Sequence, residues 1–208
     1  MKNHFASKGR LRLSVIFSMI VCSAIFSVFI SCASKPKFTG CADLCGLVVD
    51  EKNRPVQDFL IYCRGSMGEN HTALTNESGI FVIQNVPCGS YEISGQKTQF
   101  MELEKTEYSF FDRTKIFCCQ VFSFDAAMDS VLNLMQRGEN KQAEKVLNSV
   151  TYENNSAEEA VIQFYKFYLT DSNKDRLKII AKLRRLSVHG INDCSAFADT
   201  LEESIYEN

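Results

Sequence analysis

The sequence predicts an α+β chain of more than one module, an antiparallel β-sandwich followed by a set of α-helical hairpins. Three observations carry that prediction. Between about residues 44 and 122, short β-rich runs such as CGLVVD, VQDFLIYC, IFVI and SYEIS alternate with Asn-, Gly- and Pro-bearing turns. From Phe124 onward the turn clusters stop and apolar residues recur at helical spacing. Ahead of both lies a basic head and an uncharged apolar stretch that belongs to neither module.

The 208 residues are 45% apolar and 23% charged, an ordinary globular composition, and three prolines leave little room for long disordered linkers. The net charge of −2 hides an asymmetry. Lys2, Lys8, Arg10 and Arg12 stand in residues 1–31 without a single acid, so residues 32–208 carry −6. A surplus of that sign without a basic stripe argues against a nucleic-acid partner, because phosphate neutralisation dominates such binding.

The head MKNHFASKGRLR precedes an uncharged stretch from Leu13 to Ser34. Cations stay on the cytoplasmic side while an apolar run enters the membrane, which is the physical form of an export signal. The run breaks at Ser31-Cys32-Ala33-Ser34, and Lys35, Pro36 and Lys37 follow. Phe29-Ile30-Ser31-Cys32 resembles the lipobox of bacterial lipoprotein signal peptides at Ser31 and Cys32, and departs from it at Phe29, where leucine is usual. The resemblance implies a signal peptide over 1–31, lipidation of Cys32, a tether over 32–43, and a location at the cell membrane or outer membrane, facing the periplasm or exterior. Cys22 is a poorer candidate, since bulky Val21 precedes it and the apolar run continues past it. The run is also close to the ~20 residues that span a bilayer, so an uncleaved transmembrane anchor fits the same length.

In the strand-rich part, EKNRP is a charged turn, with Pro55 presetting φ. Phe59, Ile61 and Cys63 fall on one face at period two, as do Phe81 with Ile83 and Tyr91 with Ile93. Gly79 suits the positive-φ position of a tight turn. Four motifs, Gly46–Asp50, Pro55-Val56, Thr75–Phe81 and Val86–Ile93, resemble the carboxypeptidase regulatory-like domain in order and spacing. That resemblance covers roughly 80 residues and implies a prealbumin-like, seven-stranded β-sandwich over 44–122. It implies an accessory module rather than peptidase activity, since no HxxE zinc motif and no room for a catalytic domain are present. Residues 97–114 depart from the family by their length and charge. They read either as a binding loop or as an extended strand pair whose Tyr108, Phe110 and Phe111 cover a sheet edge. A last strand is expected within 115–122.

Over 123–208 the spacing predicts five helices. Ala127, Met128, Val131, Leu134 and Met135 form the first stripe, ended by Gly138, and Ala143, Val146, Leu147 and Val150 the second. Ser156-Ala157-Glu158-Glu159 is a capping box for a third helix, with Ala160, Val161, Phe164, Phe167 and Tyr168 inward. Leu177, Ile180 and Ala181 mark the fourth, ended by Gly190. Asp193 opens a fifth with Phe197, Leu201 and Ile205. A period of 34 lays these out as two hairpins and a cap, and RGENKQAEKVL resembles the second half of a tetratricopeptide repeat. The aromatic–Leu–Gly signature of that family is absent, so an unrelated small helical bundle fits as well.

No constellation for chemistry stands out. His4, His71 and His189 lack convergent partners in the sequence, and there is no phosphate-cradling loop or nucleophile elbow. No catalytic residue, metal site or cofactor is expected, and the chain does not read as an enzyme. Export permits disulfides, for which Cys41, Cys45, Cys88, Cys118 and Cys119 are the candidates. Cys41 with Cys45, and Cys88 with Cys118 or Cys119, are the pairs considered. Buried thiols are the competing reading, and Cys63 is expected to be one. The functional expectation is a membrane-anchored interaction or scaffold module with an envelope protein or peptide as partner. The alternative is a small-ligand or glycan binder that uses the sandwich loops and the 97–114 insert.

Overall fold

The computed structural model describes residues 38–191 and 194–206. The signal peptide expected over 1–31, with His4 and Cys22, and the expected lipidation site Cys32 lie outside the described residues, as does Asp193. The fold is α+β. Strands β1 (Cys41–Val49), β2 (Leu60–Gly65), β3 (Asn70–Leu74), β4 (Ile80–Pro87), β5 (Gly89–Gln96), β7 (Leu103–Phe110) and β8 (Phe117–Gln120) make a seven-stranded sandwich. Its two sheets run β4-β1-β8 and β3-β2-β5-β7. The first strand begins at Cys41, so the expected 32–43 tether gives up its last three residues to the sheet.

All pairings in the larger sheet are antiparallel. In the smaller sheet β4 is antiparallel to β1, but β8 runs parallel to it, with Gly46 opposite Phe117 and Val49 opposite Gln120. The strict antiparallel expectation fails at that one strand. The long path through β5 and β7 returns the chain to the edge of β1 in its own direction, as a crossover allows and a tight hairpin does not.

Alternation fixes which side chains enter the core. Leu44 and Val48 of β1, Phe81 and Ile83 of β4, Ile61 and Cys63 of β2, Ile93 of β5 and Phe110 of β7 are buried between the sheets, with Phe59 and Phe117. Each such side chain removed from water stabilises the fold by roughly 1.5–3 kcal/mol before entropy is counted. Two turns close the module. Asp50 accepts the backbone N–H groups of Lys52 and Arg54 at 2.8 Å each, and Arg54 Nε at 2.7 Å. Burial alone would raise the Asp50 carboxyl; these donors outweigh it and hold the carboxyl below its ordinary value. At the second turn Asn76 Oδ1 accepts from the N–H groups of Ser78 and Ile80, and Gly79 takes φ 71°. A Cβ there would stand 2.4 Å from the Val48 carbonyl oxygen, so the turn demands glycine twice over.

The helices are α1 (Phe124–Gln136), α2 (Asn140–Ser149), α3 (Ala157–Leu169), α4 (Asn173–Val188) and α5 (Cys194–Tyr206). Ser123 caps α1 through Ala126 N–H, and Gly138, at φ 75°, ends its hairpin turn. Ser156 caps α3 as the sequence indicates. Glu159 reaches back to Asn155 N–H at 2.7 Å and also across to Lys182 of α4 at 2.6 Å. One apolar cluster joins α1, α2 and the start of α3 around Val131, Ala143, Leu147 and Ile162. A second joins α3, α4 and α5 around Phe167, Ile180, Leu183, Ala198 and Leu201.

The two modules are stitched together by the first part of the 97–114 segment. Strand β6 (Phe100–Met101) pairs antiparallel with β9 (Val150–Thr151), which follows α2 directly. Around it Gln99 N–H donates to Thr151 O (2.7 Å), Glu102 N–H to Ser149 O (2.8 Å) and Phe124 N–H to Gln99 O (2.8 Å). Glu51 adds a side-chain clasp, accepting from Ser123 N–H and from its hydroxyl at 3.1 Å each. Strand β7 follows, with Tyr108 and Phe110 buried in the sandwich, and residues 111–114 form a turn after it. The binding-loop reading is corrected for residues 100–110, where β6 pairs with β9 and β7 with β5.

Candidate functional site

The expected cysteine pairs are not brought together. Cys41 and Cys45 share strand β1, where four residues of extended backbone span ~13 Å, well beyond the ~7 Å between Cα atoms that a disulfide tolerates. Cys88 follows Pro87, which stands opposite Cys41, whereas Cys118 stands opposite Leu47. Six residues along β1 put Cys88 ~20 Å from Cys118 and Cys119. Cys41, Cys45, Cys63, Cys88, Cys118 and Cys119 are free thiols. Cys63 is buried among core side chains, as expected, and burial pushes its thiol up to about 11. Burial, then the neighbouring Cys118, pushes Cys119 up to about 12. These are inert thiols rather than nucleophiles. His71 stands opposite Cys63 on the edge strand β3, its Nε2 buried without a hydrogen-bond partner among the described residues. No three His, Cys, Asp or Glu side chains among the described residues converge on a metal-sized point.

Two surfaces stand out instead. The first is the outer face of the four-stranded sheet. Alternation sends Tyr62 and Arg64 of β2, Glu92 and Ser94 of β5 and Lys105 of β7 to the side opposite the core. One rung crosses the sheet as Asn70, Arg64, Glu92 and Glu107. Lys105 Nζ lies 3.0 Å from Glu92 Oε1, and Arg64 Nε donates to Asn70 Oδ1 at 3.2 Å. Two adjoining cavities, of about 380 and 250 Å³, lie over this face and share Arg64, Glu92 and Lys105.

The second surface is on α3 and α5. The sequence stripe Ala160, Val161, Phe164, Phe167 and Tyr168 was expected to face inward as one set. Phe167 is buried, but Tyr168 is 52% and Val161 38% exposed, and Ile162 and Gln163 are buried in their place. The reason is that α3 packs on two sides, against α2 through Ile162 and against α4 through Phe167. Leu177 and Phe197 are likewise partly exposed, while Leu183 and Ala198 take the buried positions. The result is an aromatic face in which the Phe164 ring lies 5.0 Å from that of Tyr168 and 5.1 Å from that of Phe197. Sequence periodicity missed this face because α3 carries apolar residues on more than one side.

No protein-family model matches the chain, and no curated protein matches it. Several solved structures are similar. The TIE protein of Bacillus anthracis is 12% identical over 40% of this chain and 17% of its own, with a TM-score of 0.37. The 3-chlorocatechol 1,2-dioxygenase of Rhodococcus opacus 1CP is 12% identical over 43% of this chain and 62% of its own, with a TM-score of 0.35. BcpA, the major pilin subunit of Bacillus cereus, is 12% identical over 40% of this chain and 30% of its own, with a TM-score of 0.33. The chain spans less than two thirds of the length of each. Likenesses of this size identify neither a family nor an activity.

Proposed function

We propose that the protein is a lipid-anchored, non-catalytic interaction module of a bacterial cell envelope, which holds a protein or peptide partner on its helical face. The observation that carries this reading is the aromatic face of Phe164, Tyr168 and Phe197. Half-exposed aromatic rings supported by a rigid helix are the side chains that anchor protein partners. The basic head and apolar run before Cys32 support export and lipidation. Within this proposal the sandwich is of the carboxypeptidase regulatory-like type, supported by its seven strands and by the Asn76–Gly79 turn. The hairpins α1–α2 and α3–α4, with α5 as a cap, are tetratricopeptide-like, supported by the stacking of consecutive pairs around shared clusters.

The test combines fractionation with crosslinking. Cys32→Ser in the full chain should move the protein from the membrane to the soluble fraction. A photoreactive residue at Tyr168 should crosslink one discrete envelope protein, and Phe197→Ala should abolish the adduct. Retention of Cys32→Ser in the membrane would remove the lipid anchor from the proposal. A crosslinking pattern unchanged by Phe197→Ala would remove the aromatic face.

A further inference from the structure

We infer that the outer face of the four-stranded sheet is a saccharide-binding site. The inference stands on the sandwich alone and depends neither on the helical face nor on the lipid anchor. Its chemistry is that of a neutral, hydroxyl-rich ligand. The groove places two cations, Arg64 and Lys105, beside two anions, Glu92 and Glu107, and the register sets Arg64 across from Glu92 and Glu92 across from Glu107. One ion pair stands inside the groove, Lys105 Nζ with Glu92 Oε1 at 3.0 Å, while Arg64 stands across from Glu92 in the register and donates from Nε to Asn70 Oδ1 at 3.2 Å. An anion seated on Lys105 or a cation seated on Glu92 would have to break that ion pair. A ligand with adjacent hydroxyl groups would not, since each hydroxyl donates to a carboxylate and accepts from a guanidinium or ammonium.

Around the charged rung the face continues in hydrogen-bonding side chains. Ser90 faces Ser109 across β5 and β7 at one end, and Thr72, Tyr62 and Ser94 form the next rung at the other. Tyr62 is 37% exposed and lines the smaller cavity, and its hydroxyl accepts from Gln96 Nε2 at 3.0 Å. An aromatic body beside a row of polar groups offers an apolar surface to the C–H face of a sugar ring while its hydroxyls are satisfied. The larger cavity, about 380 Å³, is within the range of small-molecule sites and open enough for a short chain to lie across the strands. These side chains project from paired strands rather than from loops, so the array is ordered before a ligand arrives.

The experiment is titration calorimetry of the full chain with neutral disaccharides: β-1,4-linked and α-1,4-linked glucose, and β-1,4-linked N-acetylglucosamine. Inorganic phosphate is the competing probe. At least one disaccharide should bind, phosphate should not displace it, and Glu92→Gln and Tyr62→Ala should each weaken it about tenfold or more, as the loss of one good contact does. Both variants should keep the parent melting temperature, which separates a lost contact from a lost fold. The assignment is overturned if none of the disaccharides binds, if phosphate displaces the bound one, or if binding survives both substitutions at parent strength. Failure of the crosslinking at Tyr168 leaves this result untouched, because the two surfaces share no residue.

Discussion

Gly46 offers a sharp test of the sandwich, because the space it leaves is occupied by one ring. A Cβ on Gly46 would stand 2.2 and 2.3 Å from Cε1 and Cζ of Phe81 and 2.9 Å from the Phe117 carbonyl oxygen. Carbon atoms pack at about 3.5–4.0 Å, so Gly46→Ala requires the Phe81 ring to retreat by ~1.5 Å. It has little room to do so, being 1% exposed, with the Phe117 ring centred 6.3 Å from its own. The carbonyl cannot yield either, since Gly46 and Phe117 are partners in the parallel ladder. Overpacking of this kind costs about 1–3 kcal/mol, which at about 2–4 °C per kcal/mol lowers the melting temperature by roughly 2–12 °C. Phe81→Leu alone should cost about 1–2 kcal/mol through the cavity it leaves. Combined, the two changes should be less harmful than their sum by about 1 kcal/mol, because the shorter side chain vacates the volume that the new methyl needs. Urea denaturation of the four proteins at constant m-value reads that coupling. Additivity within ~0.5 kcal/mol, or a neutral Gly46→Ala, would show that the ring does not sit on Gly46.

Three further outcomes follow from the same geometry. Burial raises the Glu51 carboxyl, as does the like charge of Asp50; the Ser123 N–H, Glu51's own backbone N–H and the Ser123 hydroxyl outweigh both, leaving the group below its ordinary 4.5. A depressed folded value gives stability that is present above pH ~4.5 and lost as pH falls through the folded value, so Glu51→Gln should lower stability by about 1 kcal/mol at pH 7 and less below pH 4; equal losses at both would refute the clasp. Glu159→Ala removes both the Asn155 and the Lys182 contacts and should cost about 1–2 kcal/mol, read by thermal melting, whereas a loss under 0.3 kcal/mol would contradict the link between α3 and α4. In mass-mapped alkylation of the native protein, the exposed Cys41 and Cys118 should react first and the buried Cys63 and Cys194 only after unfolding. A peptide linking Cys41 to Cys45 would contradict the extended β1.

What the sequence revealed, it revealed where one residue type has one local job. The Asn76–Gly79 turn, the Ser156 and Glu159 cap and the Gly138 stop each depend on neighbours within four residues, and each stands where the residues put it. The core faces of β2, β4 and β5 were legible for the same reason, since alternation is local. Longer-range placement was not legible. Spacing along the chain cannot tell that β8 joins β1 in parallel, nor that Phe100 and Met101 pair with residues after α2. The cysteine pairs failed because a gap of four residues is compact in a turn and ~13 Å long in a strand. The polar sheet face escaped notice because Arg64, Glu92 and Lys105 come from three strands and meet only through the register.

The parallel pairing of β1 with β8 also has a mechanical meaning. The chain enters the sandwich at the start of β1, and leaves it at the end of β8 for α1. If the first end is held by a membrane and the second by whatever grips the helices, tension draws the two strands in opposite directions along their lengths. In that arrangement the rungs from Gly46–Phe117 to Val49–Gln120 are loaded together, in shear, and cannot be peeled apart singly. On the other side of β1 the ladder to β4 bears the same pull. A protein strung between a bilayer and a partner would thereby resist extension at the strand nearest its anchor.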